Sequence, residues 1–131
     1  FKDLVKESIF NIIEHSNLLD KKITDSHVLD LYSGSGSFGI ECLSRGALKV
    51  HFCENYPPAF NILKKNLELL NCIDEVEVYN EKVINFLNFS DNTKFKYDII
   101  FTYFTILINY SNFSAKPIQR KRIISKSSIE K

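Results

Sequence analysis

The sequence has no methionine and no tryptophan, and it contains only four glycines, three prolines and three cysteines. The cysteines, Cys42, Cys53 and Cys72, are odd in number and lie 11 and 19 residues apart. That spacing fits neither a disulfide framework nor a C-x-x-C metal motif. We therefore expect reduced cysteines that pack as small apolar side chains, and we expect no metal site.

Long apolar runs are missing as well. No run reaches the roughly 18 to 20 residues that a helix needs to cross a bilayer, and the first residues show no signal-peptide pattern. We expect a soluble, cytoplasmic monomer without membrane contacts. Since methionine is absent even from position 1, we also expect this chain to be a fragment.

The net charge of +1 conceals an uneven distribution. Residues 1–114 carry 11 Lys and Arg against 15 Asp and Glu, whereas residues 115–131 carry 6 against 1. The first part therefore has no obvious electrostatic footprint for a nucleic acid. If RNA binds, basic residues of the tail or of a segment before residue 1 must attract it.

Apolar spacing predicts an alternation of strands and helices. The helical pattern occurs over residues 1–17, 37–46, 55–71 and 83–89, and strand-like runs occur at 27–32, 49–54, 76–79 and 97–101. Such alternation predicts an α/β fold with a parallel sheet and right-handed crossovers. Because it ceases after residue 104, we expect a truncated sheet.

The first predicted strand leads into a glycine-rich turn. Gly34 and Gly36 interrupt the apolar run just before a helical pattern that begins at Ser37. Glycines let the backbone adopt positive φ and approach a ligand closely, and the helix directs its free N–H groups at the same place. The turn therefore predicts a site for a small molecule with an anionic group.

Two kinds of cofactor fit this turn. Gly34, Gly36 and Gly39 satisfy G-x-G-x-x-G, and Glu54 lies twenty residues past Gly34, as in a dinucleotide site. Asp30 distinguishes the two, because a carboxylate there would repel a pyrophosphate but attract the sulfonium and ammonium of S-adenosyl-L-methionine. We favour the latter cofactor, with Glu54 accepting hydrogen bonds from its ribose hydroxyls. The alternative for Glu54 is a solvated acid at a strand end.

Two stretches resemble one enzyme family. Val28–Ala47 reads VLDLYSGSGSFGIECLSRGA, and Val5–Ile13 reads VKESIFNII. They are similar to the first motif and the preceding helix of the bacterial small-subunit (16S) ribosomal RNA guanine-N2 methyltransferases. The Ser-Arg-Gly-Ala ending and the amino-terminal helix separate this family from other methyltransferases. The resemblance extends from near residue 1 to about residue 101.

The resemblance implies a Rossmann-like class I methyltransferase fold and S-adenosyl-L-methionine as cofactor. It implies direct methylation of a guanine amine, without a metal, in ribosomal RNA or a small-subunit precursor. Glu81 follows the third strand, where the family has an acid that meets the adenine amino group. We assign cofactor binding to seven positions: Asp30, Ser33, Gly34, Ser35, Gly36, Glu54 and Glu81.

The resemblance ends after Phe101. The family continues Leu-Asp-Pro-Pro followed by Tyr or Phe, whereas residues 102–106 here read Thr-Tyr-Phe-Thr-Ile. In the family, the Asp and a Pro carbonyl orient the guanine amine while the aromatic stacks on the flipped base. Tyr103 stands at the Asp position and has no carboxylate, so we assign no catalytic residue. The alternatives are an inactive remnant that binds the cofactor and, disfavoured by Asp30, an NAD-dependent oxidoreductase.

We divide the chain into a methyltransferase-like domain over residues 1–104 and a divergent basic segment over residues 105–131. The match disappears abruptly at this boundary rather than fading. This favours the hypothesis that the segment is out of frame with its ancestor or otherwise degenerate. The alternative is a genuine basic tail that binds RNA.

Overall fold

The computed structural model describes residues 3–15, 22–71, 73–90, 96–102, 105–108 and 123–125. Cys72, Tyr103 and Phe104 lie outside the described residues, as does most of the basic segment. Chain order gives α1 Asp3–His15, β1 His27–Leu31, α2 Ser37–Ser44, β2 Lys49–Cys53, α3 Pro57–Leu70, a 3-10 turn Ile73–Glu75, β3 Val76–Tyr79, α4 Val83–Ser90, β4 Ile99–Thr102, β5 Thr105–Ile108 and β6 Ile123–Ser125.

The strands form one sheet in the order β3-β2-β1-β4-β5-β6. Strands β1 to β4 are parallel, which confirms the predicted Rossmann-like sheet flanked by helices. Strand β5 then pairs antiparallel with β4, and β6 antiparallel with β5. The sequence did not predict these two strands. The division of the chain at residue 104 stays a prediction.

Helices α1, α2 and α3 cover one face of the sheet. Ile9, Phe10 and Ile13 of α1 are buried in the same cluster as the inward side chains of β1, β2 and β4. Their spacing along α1 places them on one stripe, as the amphipathic pattern predicts. Complete burial of a side chain such as Phe10 contributes about 2–3 kcal/mol. This apolar layer fixes the three helices against the sheet.

Charged groups also join α1 to α2. Glu41 accepts a hydrogen bond of 3.0 Å from Nε of Arg45, and its other oxygen lies 3.6 Å from Nζ of Lys6. The Arg45 guanidinium lies 4.5 Å from the centroid of the Phe10 ring. The contacts are partly exposed, so they add modestly to an attachment that is mainly apolar.

Helix α4 packs against the other face of the sheet, beside Leu29, Leu31 and Ile100. A buried polar group lies on this face. His51 of β2 is 3% exposed, and its Nδ1 forms a hydrogen bond of 2.7 Å with the Tyr97 hydroxyl. Its Nε2 lies 3.7 Å from a carboxylate oxygen of Glu77 on β3. Burial lowers the pKa of His51 to about 4, with the Glu77 charge opposing that shift.

Candidate functional site

The carboxyl ends of the parallel strands meet at one edge of the sheet, and a cavity opens there. It measures about 140 Å³, less than the about 300–1,000 Å³ typical of small-molecule sites. A cavity of this size can enclose only part of a molecule as large as a nucleoside-type ligand. The cavity is lined by Asp30, Tyr32, Ser33, Gly34, Ser35, Ser37, Phe38 and Phe101.

Asp30 forms part of the cavity although its side chain is only 1% exposed. One carboxylate oxygen accepts a hydrogen bond of 3.1 Å from the amide of Gly39, in the first turn of α2. Burial raises the pKa of Asp30 well above its ordinary value, the Gly39 hydrogen bond lowers it, and the nearby Glu54 charge raises it further. The site therefore keeps a desolvated acid next to its cavity, where a cation would stabilise the charged form.

The turn after β1 depends on its glycines. Gly34 and Gly36 have φ of 58° and 84°, in the left-handed region that favours glycine. A Cβ on Gly36 would lie 2.5 Å from Cδ1 of Leu63, so α3 packs directly against the turn. At Gly34, by contrast, no atom other than those of Gly34 itself and its two chain neighbours lies within 4 Å of the position of a Cβ. This open space over the backbone is where the surface beside the cavity can accept a ligand.

Glu54 directly follows β2 and faces the turn. Its Oε1 accepts a hydrogen bond of 3.2 Å from the Gly34 amide, and its Oε2 accepts one of 3.1 Å from the Asn55 amide. Glu54 is half-buried. Each carboxylate oxygen can accept a second hydrogen bond, so the side chain can still bind hydroxyl groups of a ligand.

Three further predicted site residues have different surroundings. Ser33 and Ser35 line the cavity, and the Ser35 carbonyl accepts a hydrogen bond of 2.8 Å from Nδ2 of the Asn66 side chain on α3. Glu81 does not line the cavity. Its side chain is exposed, and its carbonyl accepts a hydrogen bond of 3.4 Å from the Cys53 thiol, whose pKa burial raises to about 12.

Three aromatic residues that line the cavity were not predicted from the sequence. The Phe38 ring stacks on the Phe101 ring with 4.0 Å between centroids, and both rings are buried. Tyr32 is 59% exposed and has φ of 53°, a conformation uncommon for a residue with a side chain. The sequence position of Tyr32 could have indicated this role. Tyr32 directly follows β1 and comes before the first glycine, so the chain must bend there as it leaves the sheet.

A second cavity of about 430 Å³ shares no lining residue with the first. It lies between α3 and β3 and is lined by Phe60, Lys64, Leu67, Glu68, Val76 and Val78. Within the described ranges, no group of three or more His, Cys, Asp and Glu residues could hold a metal ion. No helix in the described part of the chain is long and apolar enough to cross a membrane.

A parallel α/β sheet with an acid at the end of its first strand, a glycine turn and a second acid after the next strand is the architecture of class I methyltransferase-like proteins. A family model described as "Conserved hypothetical protein 95" matches residues 1–103. The chain therefore belongs to this family, and the resemblance to ribosomal RNA methyltransferases is confirmed by its relatives.

Several curated relatives carry the name ribosomal RNA small subunit methyltransferase D. The protein of Haemophilus influenzae is 42% identical over 100 residues, which are 76% of this chain and 48% of that protein. The protein of Buchnera aphidicola (subsp. Baizongia pistaciae) is 39% identical over 97 residues, covering 74% of this chain and 45% of that protein. The chain thus spans about half the length of the curated relatives it matches.

Solved structures agree with the fold. A structure described as a methyltransferase from Escherichia coli has a TM-score of 0.62 and 30% identity, covering 76% of this chain and 50% of that chain. A structure described as a methylase from Haemophilus influenzae has a TM-score of 0.58 and 39% identity, and the match covers 75% of this chain and 57% of that chain. A SAM-dependent methyltransferase from Agrobacterium tumefaciens, 21% identical with a TM-score of 0.57, shares the fold and covers 74% and 29%.

Proposed function

We propose that this chain is the cofactor-binding part of an S-adenosyl-L-methionine-dependent methyltransferase that modifies a guanine amino group in small-subunit ribosomal RNA. The observation that carries the proposal is that Asp30 and Gly34 line one cavity at the strand ends, while Glu54, outside that lining, accepts a hydrogen bond of 3.2 Å from the Gly34 amide. The RNA substrate and a cytoplasmic location rest on the sequence motifs and on the names of the relatives.

Two acids divide the recognition of the cofactor between them. Glu54 binds the ribose hydroxyls with the acceptor capacity that its two backbone hydrogen bonds leave free. Asp30 attracts the positively charged methionine end toward the cavity, because an opposite charge relieves its own desolvation. When bound, the cofactor supplies an electrophilic methyl group on its sulfonium.

The remaining assigned residues shape the turn around the ligand. Gly34 leaves room for it, Gly36 lets α3 pack under the turn, and Ser33 and Ser35 lie at the cavity. Glu81 is proposed to reach the adenine from the end of β3. Its exposed side chain leaves it free to turn toward a base bound next to Glu54.

A second candidate is a chain that binds the cofactor and transfers no methyl group. One observation favours it: Thr102 of β4 pairs antiparallel with Thr105 of β5, so the strands are joined by residues 103 and 104 alone. The family pattern places Asp-Pro-Pro and an aromatic at residues 103–106 to hold the guanine, and here β5 begins within those positions, at Thr105. Residues 103–106 of this chain read Tyr-Phe-Thr-Ile and supply no carboxylate.

Calorimetric titration with S-adenosylhomocysteine tests the cofactor, and NAD serves as the control ligand. We expect binding of S-adenosylhomocysteine alone, weakened at least about tenfold by Glu54→Ala through loss of charge-assisted hydrogen bonds. Glu75→Ala is the matched control, because Glu75 is an exposed acid on the 3-10 turn. Binding of NAD, or no binding by a folded chain, would contradict the proposal.

Transfer of the methyl group to RNA is measured separately, with labelled S-adenosyl-L-methionine and small-subunit ribosomal RNA. Methylation of a guanine by this chain supports the enzyme. Binding of S-adenosylhomocysteine without methylation supports the second candidate.

A further inference from the structure

Ser33 joins the ends of β1 and β2 at the point where the candidate site begins. Its hydroxyl donates a hydrogen bond of 2.6 Å to the Asp30 carbonyl and lies 3.3 Å from the Cys53 carbonyl. The same oxygen accepts a hydrogen bond of 3.2 Å from the Cys53 amide, and the Ser33 amide donates one of 3.2 Å to the Cys53 carbonyl. A single side chain thus binds backbone groups of both strands.

These contacts occupy the hydroxyl. A serine hydroxyl has one proton to donate, and the short contact to the Asp30 carbonyl takes it. The Cys53 amide takes one of the oxygen's acceptor sites. The hydroxyl is therefore directed at the protein backbone rather than into the cavity, although Ser33 lines that cavity.

The residues that come directly after Ser33 and Cys53 belong to the candidate site. Gly34 follows Ser33 and Glu54 follows Cys53, and the Gly34 amide donates to Glu54 at 3.2 Å. Tyr32, with φ of 53°, turns the chain away from the sheet just before Ser33. Without the Ser33 hydroxyl, this residue would be joined to β2 only by the hydrogen bond from its amide to the Cys53 carbonyl, and the distance between the Gly34 amide and Glu54 would vary more.

We propose that Ser33 is a positioning residue, which holds Gly34 and Glu54 in register for the ligand and makes no direct hydrogen bond to it. The part of this inference that concerns the ligand rests on the proposed function. The part that concerns the register of the two strands does not, and it can be measured without any ligand.

The first test measures amide hydrogen exchange by NMR in the chain without ligand. Ser33→Ala is expected to speed exchange of the Gly34 and Cys53 amides about fivefold, as loss of a hydrogen bond at a local site does. The Gly46 amide, at the other end of α2, donates to the Leu43 carbonyl and should not change. Ser33→Thr keeps the hydroxyl and should restore slow exchange.

Ser44→Ala is the matched control variant, because Ser44 also bonds a backbone carbonyl but lies on the exposed face of α2. It should leave the Gly34 and Cys53 amides unchanged. Unchanged exchange at the Gly34 and Cys53 amides in Ser33→Ala would overturn the proposal, because the hydroxyl would then not connect the strands. Equal acceleration at the Gly46 amide would also overturn it, because that result indicates general destabilisation.

The second test is a double-mutant cycle with S-adenosylhomocysteine affinity as the readout. Ser33→Ala should weaken binding about tenfold when Glu54 is present and less than about twofold in the Glu54→Ala background, because its effect acts through Glu54. Additive losses would mean a direct contact by Ser33 and would overturn the proposal. If the unaltered chain binds no S-adenosylhomocysteine, the proposed function fails, and the exchange measurement alone decides whether Ser33 holds the strands in register.

Discussion

The buried carboxylate of Asp30 accepts a hydrogen bond of 3.1 Å from the Gly39 amide, and this contact ties the end of β1 to the first turn of α2. The first amides of a helix have no partner within it, so an acid that binds one stabilises the helix start. The same acid is desolvated next to the cavity. Asp30 therefore contributes to the fold, and its role in binding the cofactor stays a prediction.

The raised pKa of Asp30 has a consequence for stability. The folded chain binds the Asp30 proton more tightly than the unfolded chain does. Its free energy of unfolding therefore falls as the pH rises from the ordinary pKa of an Asp to the raised pKa of Asp30. Asp30→Asn removes the charge and keeps an oxygen for Gly39. We expect the variant to be more stable than the original chain at pH 7 by about 1 kcal/mol, with the difference vanishing in acid.

Urea unfolding of both chains from pH 3 to pH 8 checks this expectation. The difference between the two chains is the quantity to follow, since other groups titrate equally in both. A difference that is independent of pH would show that Asp30 does not carry a perturbed proton.

For His51 we expect the free energy of unfolding to depend on pH with the opposite sign. Its pKa is lowered to about 4 by burial, so its contribution to stability is present above the unfolded value near 6.5 and is lost as the pH falls from there toward 4. We expect a loss of at most about 3 kcal/mol over this range. His51→Gln, which keeps a polar partner for Tyr97, should unfold with a flatter acid limb. NMR titration of the His51 ring provides the direct check, and a midpoint near 6.5 would refute the assignment.

Two glycines of the turn motif should differ when each is replaced by alanine. A Cβ on Gly39 would lie 2.7 Å from Cζ of Phe52 and 2.9 Å from Cγ1 of Val50, so α2 must move off the sheet. Gly39→Ala should lower the free energy of unfolding by about 1–3 kcal/mol.

Gly34→Ala meets no atom within 4 Å, and only its φ of 58° opposes the substitution, at about 1–2 kcal/mol. Its methyl group would occupy the open space assigned to the ligand. We therefore expect Gly34→Ala to weaken S-adenosylhomocysteine binding more than its stability loss explains. Thermal unfolding and calorimetry of the two variants, side by side, test the contrast. Normal affinity in Gly34→Ala would place the ligand elsewhere.

Phe10 supports the cavity from a distance. It is fully buried, and its ring stacks on Phe38 at 5.1 Å, which in turn stacks on Phe101. Phe10→Ala should lower the free energy of unfolding by about 3–5 kcal/mol. Leu4→Ala, at a position of α1 that is 78% exposed, should change it by less than about 0.5 kcal/mol. Equal effects of the two substitutions in urea unfolding would contradict the packing of α1.

Much of the fold could be predicted because its signals are local. Helical spacing at Ile9 and Ile13, and short apolar runs ending at Asp30 and Glu54, depend on neighbouring residues alone. The strand ends of a parallel sheet share one edge, so the pairing of the Gly34 turn with Glu54 also followed from the order of elements. Whether these residues bind the cofactor stays a prediction.

Other features could not be predicted, because they depend on which distant residues meet. Phe101 reaches the cavity since β4 pairs with β1, in the register that sets it beside Asp30. The antiparallel pairing of β5 with β4 could not be predicted either, because local spacing does not show which strand a segment joins.

The sequence by itself determined the alternation of strands and helices, the glycine turn and the acids at the strand ends, because each follows from local spacing and backbone freedom. Only the tertiary structure decided that the Ser33 hydroxyl binds both strands and that Asp30 and His51 are desolvated. Hydrogen-bond geometry and burial are properties of groups far apart in the chain, so packing alone determines them.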